Sequence, residues 1–271
     1  MTNPTHELTP DTDVHALVRD KYGAIAEGRS RSCCGPDCCG SDLAVSSPES
    51  LGYTAEQIAT VPEGADLGLG CGSPLAHAEV RAGETVLDLG SGAGIDCFVA
   101  AKLVGPTGQV IGVDMTPAMV DRARANAAKA GATNVEFRLG EIEHLPVADA
   151  YVDLIVSNCV VNLSPDKAQV FREAFRALKP GGRMLVSDLV WNEPAPEHVK
   201  KSVDALVGCV AGASLKQDYV ELVRAAGFEQ VEIVAESGYV AGAQVLAEND
   251  PDRAFYQHVR SVQVRGVKRV A

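Results

Sequence analysis

The chain has few basic residues: 24 lysines and arginines stand against 36 aspartates and glutamates, for a net charge of −12. Nucleic acids and anionic membranes attract proteins through basic patches, so we expect neither as a partner. Long apolar runs are also missing, since no window approaches the ~18 apolar residues of a membrane span. Residues 1–19 lack the apolar stretch of a signal peptide. The expected location is therefore the cytoplasm.

Repeats and long low-complexity tracts are absent as well, and 271 residues with 46% apolar content can form one sizeable core with appendages. Cysteine, in contrast, is present eight times. Disulfides are rare in a reducing compartment, so thiol chemistry, binding of a soft ion or plain burial must explain these side chains. They are Cys33, Cys34, Cys38, Cys39, Cys71, Cys97, Cys159 and Cys209.

The pattern of the chain changes near residue 85. Residues 1–80 are rich in glycine, cysteine and proline, with weak helical patterns near residues 14–26 and 54–60. Further on, apolar runs alternate with helical patterns, which indicates βαβ units and a mainly parallel sheet. We predict a Cys-containing cap over residues 1–80, a core over residues 81–235, and a C-terminal extension with a final strand over residues 236–271.

Seven strands and four main helices are predicted after the cap. The strands cover residues 85–89, 109–114, 134–139, 151–157, 183–189, 228–235 and 261–267. The helices, with their capping residues, cover residues 95–104, 116–131, 164–179 and 217–226. This order is typical of an α/β, doubly wound domain.

A glycine-rich turn follows the first strand, at the sheet edge where open parallel sheets bind ligands. Gly90, Gly92 and Gly94 let the backbone turn sharply and approach a ligand without a Cβ atom in the way. Ile95 stands where a dinucleotide fingerprint has its third glycine, which favours a ligand smaller than a pyrophosphate. Asp88, just before the turn, offers a carboxylate that suits an ammonium group.

Other polar residues follow the next strands at the same edge. Asp114 ends the second strand, where a carboxylate can accept hydrogen bonds from both hydroxyls of a ribose, and Met115 follows it. Glu141 and Ile142 follow the third strand and could flank an adenine, and Asn158 follows the fourth. Taken singly, Asp114 could be a structural cap and Glu141 a solvated residue. The ordered set favours a cofactor site over a nicotinamide-binding or purely structural Rossmann-like domain.

The set resembles that of the seven-stranded, Rossmann-like S-adenosylmethionine methyltransferases. The resemblance implies that the core is the cofactor-binding domain and that the cap is an N-terminal Cys-rich appendage. It also implies that Asp88 and the three glycines hold the methionine part of the cofactor and that Asp114 holds the ribose. Glu141 and Ile142 would hold the adenine, and Asn158 would lie near the methionine end.

Three cysteines from separate segments indicate the substrate. Cys159 follows Asn158 at the sheet edge, Cys71 lies in a flexible glycine-rich cap segment, and Cys209 follows the fifth strand. Three thiols suit a soft ion. Zinc favours paired C-x₂-C motifs and four ligands, whereas trivalent arsenic suits three sulfurs and keeps a lone pair that can attack a methyl group. No general base is then needed, and none of the six histidines falls in a motif.

Over about residues 50–230 the chain resembles the arsenite S-adenosylmethionine methyltransferases. The matching stretches include VPEGADLGLGCGSP (residues 61–74), GETVLDLGSGAGIDCF (83–98), GVDMTP (112–117), NVEFRLGEIEHLP (134–146) and SNCVVNLSPDK (157–167). The resemblance implies methylation of arsenite and methylarsenite in detoxification, with glutathione or thioredoxin as thiol co-substrate. It implies that Cys71, Cys159 and Cys209 bind As(III).

The family has one more N-terminal cysteine, which the cluster at residues 32–40 matches only loosely, with Cys33, Cys34, Cys38 and Cys39 as candidates. This cluster could instead be a small zinc or redox site, a thiol pair that delivers substrate, or a tail. Cys97 lies among apolar residues of the first core helix and is expected to be a packing residue. Two rival functions stay open: methylation of an organic metabolite, and non-enzymatic trapping of arsenite or a metal.

Overall fold

The computed structural model describes residues 7–29, 47–239 and 253–270. Its centre is a seven-stranded sheet in the order β3-β2-β1-β4-β5-β7-β6. Strands β1 to β5 pair with one another in parallel, whereas β7 runs antiparallel between β5 and β6. The strands are β1 Thr85–Leu89, β2 Gln109–Asp114, β3 Val135–Leu139, β4 Val152–Asn158, β5 Leu178–Trp191, β6 Glu229–Gly238 and β7 Val259–Val267.

Helices cover both faces of the sheet, which confirms the predicted doubly wound α/β class. The longer helices are α1 Val14–Ala26, α3 Ile95–Val104, α4 Pro117–Ala130, α5 Lys167–Ala177 and α8 Lys216–Ala225. The short helices are α2 Ala55–Ile58, α6 Glu197–Lys200, α7 Val203–Val207 and α9 Arg253–Tyr256. No helix in the described ranges is both long and apolar enough to cross a membrane.

Successive side chains of β1 show how the sheet divides the core. Val86 packs with α3 and α4 on one face, while Leu87 and Leu89 pack with α5 and α8 on the other. All three are fully buried. A strand buried on both faces is mostly apolar, as Val86, Leu87 and Leu89 are, and Asp88 is the buried exception.

The start of β5 differs from the prediction. The strand begins at Leu178, not at residue 183, because Leu178 pairs with Val152 of β4 before the register shifts. The segment with Pro180, Gly181 and Gly182 forms the irregularity, and pairing resumes where Arg183 faces Leu154. Proline and glycine were expected to end the helix at residue 179, but the helix ends at Ala177 and they lie inside the strand, where its pairing is irregular.

The N-terminal helix α1 packs on the core and does not stand apart from it. Ile25 and Ala26 are buried with Met119 of α4 in one apolar cluster. Arg122 of α4 donates a hydrogen bond to the Ala26 carbonyl at 2.8 Å. The cap–core boundary near residue 80 and the boundary near residue 235 stay predictions. Of the cap, residues 7–29 and 47–80 lie in the described part of the chain.

Candidate active site

A cleft opens beyond the carboxyl ends of β1, β2 and β4, where ligands bind in open parallel sheets. Its empty volume, counted out to its mouth, is about 1030 Å³. Helix α1 and the segment before β1 wall its outer side. Of the predicted cofactor residues, its lining includes Asp88, Gly90, Gly92, Asp114, Met115, Ile142 and Asn158.

The glycine-rich turn after β1 has three glycines in the left-handed region, with φ of 68° at Gly90, 51° at Gly92 and 104° at Gly94. A Cβ atom on Gly92 would meet nothing within 4 Å, so the backbone here faces open space in the cleft. On Gly94 it would lie 2.8 Å from Phe98 and 2.9 Å from Phe137. Gly94 therefore permits helix–sheet packing and does not line the cleft, in contrast to Gly92.

Asp114 holds the glycine-rich turn in place. Its carboxylate accepts hydrogen bonds from the Gly92 amide at 3.0 Å and the Thr116 amide at 2.8 Å. Burial raises the pKa of Asp114, although these hydrogen bonds oppose the shift. The carboxylate thus lies at the cleft wall, and the two amide hydrogen bonds fix its position. A group that binds ligand hydroxyls needs such a fixed position.

Two further carboxylates form an acidic end of the cleft. Burial, and then the nearby Asp96 charge, raise the pKa of Asp88 well above its usual range. Burial also raises the pKa of Asp96 to about 6. Tyr53 donates a hydrogen bond to Asp96 at 2.8 Å. Asp96 was not predicted as a site residue, although its place in the first turn of the helix after the glycines was a signal for it.

The adenine end differs in detail from the predicted pair. Ile142 lines the cleft, but Glu141 is not among its lining residues and pairs with Arg19 of α1 at 3.1 Å. Glu143 lines the cleft, and its Oε1 lies 3.0 Å from Nε2 of His15. Neither Glu143 nor His15 was singled out from the sequence, because their proximity depends on how α1 packs against the sheet edge.

The structure brings the three predicted thiols together. Hydrogen bonds with the Cys209 and Cys71 thiols, followed by burial, raise the pKa of Cys159 well above its usual range. The Cys209 thiol also donates a hydrogen bond to the Cys159 carbonyl at 2.9 Å. Cys159 and Cys209 are buried and Cys71 is half-buried. Cys159 lines the cofactor cleft, so the thiol cluster and the cleft share a wall.

The backbone at two of these cysteines is strained. Cys159 has φ of 60° and Cys209 has φ of 64°, in the left-handed region that residues other than glycine rarely adopt. Such strain costs about 1–3 kcal/mol and clusters at functional sites, where surrounding contacts enforce it. The Cys159 amide donates to the Ser187 carbonyl at 2.8 Å, which is one of the contacts that hold this conformation.

Asn158 links the cofactor cleft to the thiols. Its side-chain oxygen accepts a hydrogen bond from the Cys71 amide at 3.1 Å. Its side-chain nitrogen donates to Asp96 at 3.2 Å and to the Gly72 carbonyl at 2.6 Å. One side chain at the end of β4 thus contacts both the acidic end of the cleft and the backbone around Cys71.

The other cysteines fall into two groups. Cys33, Cys34, Cys38 and Cys39 lie outside the described residues. Cys97 is fully buried on α3, and its thiol donates a hydrogen bond to Asp88 at 3.3 Å. The expected packing role agrees with this burial, but the hydrogen bond also places Cys97 behind a predicted cofactor ligand.

We expect a Cys97→Ser variant to keep the methylation pattern that the family resemblance implies, because serine can still donate a hydrogen bond to Asp88. Burial of a more polar group should cost stability, on the order of 1–3 kcal/mol. Product analysis and thermal unfolding measure the two effects. If the arsenite binding that the resemblance implies is lost in a folded Cys97→Ser protein, Cys97 is a ligand.

Three features of the cleft fit S-adenosylmethionine. Buried carboxylates at its acidic end suit a ligand that carries an ammonium and a sulfonium cation. The open face of Gly92 admits a ligand close to the backbone. The buried Ser91 hydroxyl lines the cleft and has no hydrogen-bond partner among the described residues. Together with the sheet order, this cleft defines an S-adenosylmethionine-dependent methyltransferase.

Comparisons with known proteins give the family. The profile of a methyltransferase domain matches residues 81–227. Arsenite methyltransferase of Halobacterium salinarum is 47% identical, over 99% of this chain and 71% of that protein. Arsenite methyltransferase of Aquipseudomonas alcaligenes is 37% identical, over 90% of this chain and 70% of that protein. The chain belongs to the arsenite methyltransferase family.

A solved structure agrees in fold. The crystal structure of CrArsM, an arsenic(III) S-adenosylmethionine methyltransferase from Chlamydomonas reinhardtii, superposes with a TM-score of 0.63 at 33% sequence identity. The match covers 84% of this chain and 74% of that one.

Proposed function

We propose that the protein methylates As(III), with Cys71, Cys159 and Cys209 as the arsenic ligands and S-adenosylmethionine as methyl donor. The packing of Cys71 against the cluster that holds Cys159 and Cys209, at the wall of the cofactor cleft, carries this proposal. A metal trap would need the thiols but not the acidic cleft, and a methyltransferase of an organic metabolite would need the cleft but not the thiols.

The cysteines bind arsenic by exchange. Each thiol forms an arsenic–sulfur bond and passes its proton to the group it displaces, which leaves as water or as a free thiol. Hydrogen bonds with Cys209 and Cys71, followed by burial, raise the pKa of Cys159. A hydrogen bond with Cys159 lowers the pKa of Cys209, but burial and the Asp188 charge outweigh it and the net shift is upward. Before arsenic arrives, the Cys159 and Cys209 thiols therefore hold their protons more tightly than an ordinary cysteine does.

The other residues bind and orient. Asp88 and Asp96 supply negative charge for the cationic end of the cofactor, and Asp114 supplies acceptors for the ribose hydroxyls. The cofactor, when bound, supplies an electrophilic methyl group on its sulfonium sulfur. Arsenic held by three sulfurs keeps its lone pair, so the protein has to orient that lone pair and needs no general base. Cellular thiols such as glutathione or thioredoxin would deliver arsenic and release products, in the cytoplasm, as arsenic detoxification.

The test combines purified protein, arsenite, S-adenosylmethionine and a thiol reductant, followed by separation of the arsenic species. Methylated arsenicals that depend on all components are expected. Consumption of S-adenosylmethionine without arsenite would favour an organic substrate. Arsenite binding without any cofactor consumption would favour a trap.

An Asp114→Ala variant is expected to weaken cofactor binding while arsenite binding changes little. Loss of a charged hydrogen-bond partner costs about 1.5–3 kcal/mol, or roughly tenfold to a hundredfold in affinity. Calorimetric titration with the cofactor measures the change. Asp121→Ala, an exposed carboxylate on α4, is the matched control. Unchanged cofactor affinity in Asp114→Ala would refute the ribose assignment.

A further inference from the structure

The segment that presents Cys71, residues 68–74, is bound to the sheet edge and is called here the Cys71 loop. It was expected to be flexible because of its glycines, but its backbone hydrogen bonds are extensive. Asn158 at the end of β4 binds the Cys71 amide and the Gly72 carbonyl. Asn158, which lines the cofactor cleft, thus holds the backbone amide of Cys71.

The carbonyl side of Cys71 is fixed from a different direction, by the C-terminal strand β7. The Ser261 hydroxyl donates a hydrogen bond to the Cys71 carbonyl at 2.9 Å. The side-chain nitrogen of Gln263 donates to the Ser73 carbonyl at 3.2 Å. Ser261 and Gln263 are two residues apart on a strand, so their side chains project from the same face. Ser261 is buried.

The glycines on either side of Cys71 allow this close approach. A Cβ atom on Gly70 would lie 2.9 Å from the side-chain nitrogen of Asn158, and one on Gly72 would collide with the Ser187 hydroxyl. The backbone of the loop therefore lies directly against the strand ends. Its glycines serve contact with the sheet, and the hydrogen bonds from Asn158, Ser261 and Gln263 determine where the Cys71 thiol lies.

Cys71 is the most exposed of the three thiols, so its position depends on the contacts of its loop. Cys159 and Cys209 are buried in one apolar cluster, and the Cys209 thiol is bound to the Cys159 carbonyl. Cys71 is half-buried and lies at the margin of this cluster. Its thiol can complete a three-sulfur arsenic site only while its loop stays on the sheet.

We propose that Ser261, with support from Gln263, is a positioning residue for Cys71 and thereby controls the use of arsenite as substrate. This inference rests on the proposed function, because the position of Cys71 affects substrate use only if its sulfur is the third arsenic ligand. It assigns part of the substrate site to β7, Val259–Val267, which lies beyond the residues 81–227 that match the methyltransferase profile.

The experiment compares Ser261→Ala with Ser237→Ala, its exposed cross-strand partner on β6, as control. Loss of one hydrogen bond should raise the KM for arsenite about threefold to tenfold in Ser261→Ala. Monomethylarsenite has one arsenic–sulfur bond fewer available, so its turnover should stay within about twofold, as should cofactor affinity. Ser237→Ala should match the unaltered protein in all three measurements.

A second measurement needs no catalysis. The rate at which iodoacetamide alkylates Cys71, followed by mass spectrometry of the peptide, should rise about threefold or more in Ser261→Ala, with the rates of Cys159 and Cys209 unchanged. Should Ser261→Ala fold poorly, Gln263→Leu tests the same loop through the Ser73 contact and should give the same selective change.

The outcomes separate the two proposals. Unchanged alkylation of Cys71, or an equal loss with arsenite and monomethylarsenite, would overturn the positioning role and leave arsenite methylation intact. Faster alkylation of Cys71 in a protein that makes no methylated arsenic would support the loop contact but remove the proposed function, and with it the role in substrate use.

Discussion

Replacement of Cys159 by serine is expected to abolish methylation of both arsenite and monomethylarsenite, whereas Cys71→Ser should abolish only the first. Arsenite can bind three sulfurs, but an arsenic atom with one methyl group can bind only two. The buried pair Cys159 and Cys209 should then suffice. Alignment of reacting groups can supply ~7–11 kcal/mol of a barrier, so arsenic that has lost either member of that pair should be almost unreactive.

Each purified variant is given arsenite or monomethylarsenite, and the arsenic products are separated. Cys209→Ser should behave like Cys159→Ser, and Cys97→Ser is the control for removal of a buried thiol outside the cluster. Equal failure of Cys71→Ser with both substrates would contradict the three-thiol arrangement. So would efficient turnover of either substrate by Cys159→Ser.

Local sequence signals predicted the cofactor half of the molecule well. The strand at residues 85–89, the glycine turn and the helix at residues 95–104 have the predicted bounds. In each case the signal lies within a few residues: an apolar run, glycines that adopt positive φ, and a helical pattern. The caps of α4 agree as well, because Pro117 begins it and Gly131 ends it with φ of 62°.

Features that depend on distant residues could not be predicted in the same way. The C-terminal strand was expected, but nothing in its own sequence indicates that it lies antiparallel between β5 and β6, with Ser261 against the Cys71 carbonyl 190 residues away. Glu141 was predicted because it follows the third strand, and Glu143 was not singled out. Packing of α1 determines which of the two lines the cleft, since Arg19 pairs with Glu141.

The thiols illustrate both cases. The sequence indicated that Cys159 follows a strand that ends at the cleft, and that position is local. The convergence of Cys71 and Cys209 on it came from the family resemblance, because these residues belong to a cap loop and to the segment after α7. Nothing in the sequence indicated the left-handed backbone at Cys159 and Cys209, because residues other than glycine seldom adopt this conformation.

Cofactor affinity is expected to rise steeply with pH between about pH 5 and pH 7, because the acidic end of the cleft must ionise to bind a cation. Burial raises the pKa of Asp88 well above its usual range and that of Asp96 to about 6. In the free protein at low pH these carboxyls are protonated, so binding of the cationic cofactor releases protons. One proton released per molecule bound changes affinity about tenfold per pH unit.

The same shifts fix the sign of the effect on stability. A carboxyl whose pKa is raised in the folded state stabilises the fold below its unfolded pKa, and that contribution is lost as pH rises through the folded value. The free protein should therefore lose stability as pH rises through about 6, the pKa of Asp96, and the cofactor should restore more of it at higher pH. Thermal unfolding with and without cofactor measures this difference.

Calorimetric titration at about pH 5.5 and about pH 7.5, in buffers with different ionisation enthalpies, counts the protons released on cofactor binding. Asp96→Asn removes one titrating carboxyl while it keeps the size of the side chain and one oxygen acceptor, for either Tyr53 or Asn158. Cofactor affinity of this variant should therefore depend less on pH. Asp121→Asn, on the exposed side of α4, should keep the full dependence. Cofactor affinity that stays constant over this range would mean that the acidic end is already ionised in the free protein, and Asp88 would then bind its ligand as a permanent charge.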